Sequence, residues 1–260
     1  MKSPTLTFVT LTLFCLLFTG CASLTAPAVA SQDPADNSNN IQLERAQIHT
    51  ELAAGYFERG QYSIALDEAH KALDSDENYA SAYGILGLIY MALNETEPAQ
   101  KNFDRALNLA PNEPEIHNNY GWFLCSQKHF DAAMKQFNIA TANPLYNKRQ
   151  NSLTNAGLCE INAGHPLIAE SYLEKSLRRD KNQPKAQVPL AEIYYRQGRY
   201  AEAEMLIHDL NKDNAKLLWL TIRIAHKTNN ANAEASASML LRSNFPDAPE
   251  TRLLNQGNYD

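Results

Sequence analysis

SAYGILGLIYMALNETEPAQKNFDRALNLAP, residues 81–111, is the stretch whose reading decides the fold. Tyr83, Leu86, Gly87 and Tyr90 lie three, one and three positions apart, so they share one face of a helix. Asn94 and Glu95 interrupt that pattern. Ala99, Phe103 and Ala106 follow four and three apart on a second helix. Pro111 stops it, because proline cannot donate the next backbone hydrogen bond. Two helices of similar length joined by a few residues make an αα-hairpin. Gly87 and Ala99 are small where the two helices should approach most closely. A bulky residue at 87 should overpack that contact at a cost of about 1–3 kcal/mol.

The spacing resembles the tetratricopeptide motif, a 34-residue helix–turn–helix, with Tyr83 in place of its leading tryptophan. The unit recurs along the chain. A first copy carries Leu52, Ala53 and Tyr56, then Gly60, Tyr62, Ala65, Ala69 and Ala72. A third carries Tyr120, Gly121 and Leu124, then Phe130, Ala133, Phe137 and Ala140. The connection after it, residues 143–150, is two residues longer than a strict repeat allows. The fourth keeps the small positions Ala156, Gly157, Gly164 and Ala169, with Leu173, and loses its aromatics. The fifth restores them with Leu190, Ala191, Tyr194, Gly198, Tyr200 and Ala203. Beyond Asp213 the register slips, and 217–226 and 233–242 read as an atypical last pair, as expected where a solenoid must shield its final face. The expected fold is all-α: a right-handed superhelix of about six tetratricopeptide hairpins over residues 44–247. A tail over 248–260, frayed from Gly257 to Asp260, is expected at its end.

The 260 residues are about the limit for one hydrophobic core, but a solenoid packs each unit only on its neighbours. The formal net charge of −6 argues against a nucleic-acid or anionic-membrane binder. The N-terminus is a targeting segment. Lys2 gives a short positive region, and the apolar run over residues 6–18 is short for a membrane span. The run Leu17-Phe18-Thr19-Gly20-Cys21 resembles a bacterial lipobox, with Phe18 where leucine is usual. It implies a signal peptide over 1–20 and lipidation at Cys21. The alternative is ordinary secretory cleavage near Ala28 or Ala30. Ala22, where an aspartate would signal inner-membrane retention, favours the outer membrane. Residues 21–43, rich at first in Ser, Ala, Asn, Asp and Pro, read as a flexible tether.

The seven histidines form no H-E-x-x-H and no close metal spacing, and there is no Walker loop or G-x-S-x-G. No enzyme, metal or cofactor is expected. Cys125 and Cys159 fall in the first helices of consecutive repeats, which pack side by side. In an oxidising compartment they could bridge and clamp the third hairpin to the fourth; the alternative is two buried free thiols. First helices also line the inner groove of such a stack. Phe57, Gly84, Leu88, Met91 and Trp122 then form an apolar stripe across three repeats, with Gly84 as its floor. That surface suits an amphipathic helix or an apolar peptide, unless Met91 and Trp122 merely pack on neighbouring helices.

A finer resemblance covers nearly the whole chain after the lipobox. His117-Asn118-Asn119-Tyr120-Gly121-Trp122-Phe123-Leu124-Cys125 carries it, with Asn143-Pro144-Leu145-Tyr146, Asn155-Ala156-Gly157-Leu158-Cys159 and Leu241-Arg242-Ser243-Asn244-Phe245-Pro246 in order. Together with the lipobox and the hairpins, these runs resemble the type IV pilus biogenesis and stability lipoproteins of the PilF/PilW type. The resemblance implies a pilotin-like lipoprotein on the periplasmic side of the outer membrane. It would bind the secretin subunit, and possibly other pilus assembly proteins, and assist secretin localisation and multimerisation, and so pilus stability and twitching motility. The rival reading is an outer-membrane adaptor for another envelope machine, such as cell-wall enzymes.

Overall fold

The hairpins turn at six backbone positions in the left-handed region: Gly60, Asn94, Lys128, Gly164, Gly198 and Asn229, with φ between 55° and 85°. At each, the amide of that residue and the next bond back into the preceding helix. Asn94 N–H donates to the Met91 carbonyl and Glu95 N–H to that of Tyr90. This six-to-one closure satisfies the orphan carbonyls of a helix end and needs a residue that tolerates positive φ. Glycine does so freely and asparagine readily; Lys128 is the exception. The six positions lie 34, 34, 36, 34 and 31 residues apart. The 36 contains the two extra residues of the 143–150 connection, and the 31 is the register slip beyond Asp213.

The computed structural model describes residues 34–259, with side chains from Ser38 onward. The signal peptide and Cys21 lie outside the described residues. Residues 34–39 open the first helix and belong to an N-terminal unit; the hairpin stack belongs to a second, residues 40–260. Thirteen helices lie among the described residues, paired as α1 (Pro34–Glu58) with α2 (Tyr62–Ser75), α3 (Ala80–Ala92) with α4 (Thr96–Leu109), and α5 (Pro114–Ser126) with α6 (Phe130–Ala142). Next come α7 (Arg149–Asn162) with α8 (Pro166–Arg179), α9 (Pro184–Arg196) with α10 (Tyr200–Ile207), and α11 (Ala215–Lys227) with α12 (Ala231–Asn244). The last is α13 (Pro249–Asn255). Six hairpins stack as an all-α, right-handed tetratricopeptide superhelix.

Two expected boundaries move. Helix α1 already includes Pro34, so the last ten residues of the expected tether are helical. The expected C-terminal tail contains α13, whose Thr251 and Leu254 are buried. Leu254 joins Leu218, Trp219, Ile222, Ala237 and Leu241 in one core cluster, with Tyr259 packed against it. The last apolar face of the stack is thus covered by the chain's own end rather than by a polar helix.

Inside the second, third and fourth hairpins a small residue on the first helix receives a large one from the second. A Cβ on Gly87 would meet the Phe103 ring at 2.8 Å, one on Gly121 the Phe137 ring at 2.9 Å, and one on Gly157 the Leu173 Cγ at 2.7 Å. Gly87 is therefore matched to Phe103, not to Ala99. The aromatic side chain fills the space its glycine leaves, and Phe103 and Phe137 are fully buried.

Candidate functional site

First helices of successive repeats stand side by side and line an inner face. Between α1, α3, α5, α7 and the start of α9 lies a cavity of about 420 Å³. Phe57, Ile85 and Leu88 form its apolar end. Asn118, Asn119, Asn151, Asn155 and Thr154 continue the lining, with Glu58, Glu115 and Gln183, Tyr146 and Lys148 from the α6–α7 connection and Lys185 from α9. A second cavity of about 280 Å³ adjoins it, lined by Gly84, Ile85, Ile116 and Asn119 among others.

The sequence-derived stripe is only partly assembled there. Phe57 and Leu88 line the larger cavity and Gly84 the smaller. Gly84 is itself buried, and a Cβ there would make ordinary contact with Ile116 at 3.6 Å. Met91 and Trp122 line neither cavity. Both are part-exposed and pack against the core around Phe123, Cys125 and Phe137, although they share the repeat register of Phe57 and Leu88. Of the expected stripe, Phe57, Gly84 and Leu88 line these cavities, whose apolar end is short and gives way to amides.

Three of those amides are linked to one another. Asn155 Nδ2 donates to Asn118 Oδ1 at 3.0 Å, and Asn118 Nδ2 donates to Asn119 Oδ1 at 3.0 Å. Asn118 is nearly buried, while Asn119 and Asn155 are part-exposed and Asn151 is exposed. Among the described residues the Asn151 side chain has no hydrogen-bond partner. Lys148 is pinned by both oxygens of Glu115, at 2.9 and 3.0 Å. Tyr146 is held by burial, which pushes its hydroxyl up to about 12. Asn118, Asn119 and Asn155 were visible as parts of specific motifs. Aligning repeats in register would have placed Asn119 and Asn155 where the second repeat has Ile85, on the inner face.

Further along the same face, in the fifth and sixth repeats, the chain's own end is seated. Tyr259 stacks on His226, with ring centroids 4.1 Å apart and planes 7° apart, and on Trp219 at 5.9 Å. Its hydroxyl donates to Glu234 at 3.0 Å, and the Tyr195 hydroxyl donates to its backbone carbonyl at 3.5 Å. Burial, then the Glu234 contact, raises the Tyr259 hydroxyl above its ordinary value. Arg223 lies over the Tyr195 ring at 4.6 Å and donates to Glu192 at 2.5 Å. Burial alone would raise the Glu192 carboxyl; hydrogen bonds from Arg223 and Arg196 together outweigh it and hold it low.

Cys125 and Cys159 are joined by a disulfide, with Cα atoms 5.8 Å apart, fixing α5 to α7, the helices that carry the asparagine cluster. Among the described residues no group of three His, Cys, Asp or Glu side chains could hold a metal. Among them, too, no helix is long and apolar enough to cross a membrane.

Comparison with known proteins agrees with this architecture. Tetratricopeptide-repeat patterns match residues 80–113 and 162–223. The chain is 30% identical over 211 residues to the type IV pilus assembly protein PilF of Pseudomonas aeruginosa, covering 80% of this chain and 83% of that protein. A solved structure from the functional characterisation of P. aeruginosa PilF superposes with a TM-score of 0.75 at 28% identity, over 83% of this chain and 99% of that one. PilW, described as a widely conserved type IV pilus biogenesis factor, superposes with a TM-score of 0.67 at 31% identity, over 80% of this chain and 97% of that one.

Proposed function

Since the chain belongs to the tetratricopeptide family of type IV pilus proteins that includes PilF, we propose that it is a pilotin-like scaffold for the pilus secretin. In this reading Cys21 is lipidated and anchors the chain to the outer membrane, facing the periplasm. Several acyl chains on one cysteine hold firmly, since each buried CH₂ contributes about 0.8 kcal/mol. Residues between the anchor and α1 give reach. The inner groove holds a segment of the secretin subunit, shields it from aggregation and raises its concentration at the membrane, where subunits multimerise. The action is passive: binding and release, without catalysis.

The observation that carries the reading is the groove itself, with an apolar end at Phe57, Ile85 and Leu88 and a rigid amide wall beyond it. Leu88 is part-exposed into that cavity, so Leu88→Glu puts an uncompensated charge where a partner's apolar side chain would lie. Secretin recovered with the chain from outer membranes should fall at least tenfold in this variant, and heat-resistant secretin multimers should decline with it. Recovery of cell-wall enzymes without secretin would overturn the proposal in favour of an envelope adaptor of another kind.

A further inference from the structure

The two ends of the stack are finished differently. In later hairpins one position of the leading helix is covered by the hairpin before it. Leu86 packs with Ala53, Ala65 and Ala69 of the first hairpin. Tyr120 meets the Phe103 ring at 5.5 Å and accepts a hydrogen bond from Gln100 at 2.7 Å, both on α4. Leu190 packs on Ala169 and Leu173 of α8. One turn earlier in the same helices, Ala82, Ile116, Ser152 and Ala186 are buried. The first hairpin has Leu52 and Ile48 at these two positions, 42% and 48% exposed. Helix α13 covers the C-terminal face of the stack, but among the described residues nothing covers this one. The face also continues ahead of the repeat, because α1 runs on and places Ile41, 42% exposed, in line with Ile48 and Leu52. Ile41, Arg45, Ile48 and Leu52 are four, three and four positions apart, the spacing of a two-helix seam, over about 16 Å of helix. Arg45 interrupts the apolar line. Among the described residues the side chains of Arg45 and Glu44 have no partner, and Glu51 accepts only from Gln47 of the same helix.

We propose that this face pairs with the same face of a second copy of the chain, α1 against α1 and antiparallel, closing a two-fold dimer. The seam is self-complementary in that orientation. With Ile41 opposite Leu52 of the second copy, Arg45 lies opposite that copy's Ile48, and the second copy's Glu44 and Glu51 stand one turn to either side. Each guanidinium then sits between two carboxylates, and Ile41 and Leu52 cover one another at both ends of the seam. Parallel pairing would set Arg45 against Arg45, two like charges in contact. Because α13 already covers the other end of the stack, association stops at two and does not run on into a fibre. Ile41, Arg45, Ile48 and Leu52 line neither cavity of the inner face, so the dimer and the groove are separate surfaces.

The test is disulfide crosslinking in cells that make the full chain, in which Cys125 and Cys159 are already bridged to each other. On oxidation Ile41→Cys/Leu52→Cys should give a covalent dimer at a yield about tenfold above either single substitution, because each new thiol faces the other position. Adding Arg45→Glu should lower that yield about tenfold, and adding Glu44→Lys/Glu51→Lys to it should restore the dimer. The substituted side chains are exposed, so the thermal melting curve of the reduced full chain should not move. Ile41→Cys alone crosslinking as well as the pair would mean a parallel arrangement and overturns the proposal. So does the absence of a dimer band from every variant, or a yield that ignores the charge reversals. If Ile48→Glu lowers secretin recovery with no dimer to lose, the face belongs to that partner. If it releases the full chain from phosphatidylethanolamine vesicles, the face belongs to a lipid surface. Either result overturns the dimer and leaves the groove reading standing.

Discussion

Gly87 and Phe103 are matched so closely that the hydrogen on Gly87 is the largest group the site admits. A Cβ there would lie 2.8 Å from two ring atoms of Phe103, and Phe103 has no room to retreat because it also packs at 5.4–5.5 Å on Phe123 and Tyr120. Gly87→Ala should therefore destabilise the chain by about 1–3 kcal/mol, despite alanine's better helix propensity. In Gly87→Ala/Phe103→Leu the loss should be less than the sum of the two single losses, read as urea midpoints. Strict additivity would mean that the two residues do not share the space.

Removing the disulfide with Cys125→Ser/Cys159→Ser opens a crosslink spanning 34 residues. Unfolding free energy should fall by about 2–4 kcal/mol, and reductant should lower the parent to the same level while leaving the variant unchanged. Alkylation of both thiols in the denatured, unreduced chain would show that the bridge is absent.

Lys128 holds φ at 62°, where the turns of the other hairpins have Gly or Asn, as at Gly60 and Asn94. Lys128→Gly should raise stability by up to about 1 kcal/mol, and the melting temperature by about 2–4 °C. Lys128→Ala should give no such gain, since a Cβ remains. Equal effects of the two would place the cause in the lysine's charge.

Burial pushes the hydroxyls of Tyr146 and Tyr194 up to about 12, against about 10 in an unfolded chain. The folded state then keeps protons that the unfolded state releases. The stabilisation is complete below pH about 10 and is lost as pH rises toward about 12. Tyr146→Phe removes one of the two groups, so its urea midpoint should fall less steeply over that interval than the parent's. Parallel curves would remove Tyr146 from the account.

The hairpins were legible because their signals are local. Gly87, Gly121 and Gly157 recur with large apolar partners at fixed spacing, and Pro111 and Asn94 punctuate them. The groove was legible only at Phe57, Gly84 and Leu88, because side-chain direction across a superhelix depends on how repeats lean on one another. Met91 and Trp122 share the repeat register of Phe57 and Leu88 yet line neither cavity. The asparagines stand in a motif that carries no direction of its own. Residues 34–40 misled by composition: Ser, Asn and Asp favour caps and turns, yet α1 runs through them. The C-terminus misled because its order is not local at all; Tyr259 is fixed by Trp219, His226 and Glu234, each 25 to 40 positions away.

The Cys125–Cys159 bridge also decides how the chain would behave under tension. A solenoid stretched between its ends gives way one hairpin at a time, since each repeat holds only to its neighbours. Helix α6 lies wholly between the bridged residues, so a pull on the termini bypasses it through the sulfur bond. The stretch between the two cysteines, a separation of 34 positions, cannot be drawn out, which shortens the fully extended chain by about 110–120 Å relative to the reduced form. Under load the third and fourth hairpins would thus stay joined after the outer ones had been pulled straight.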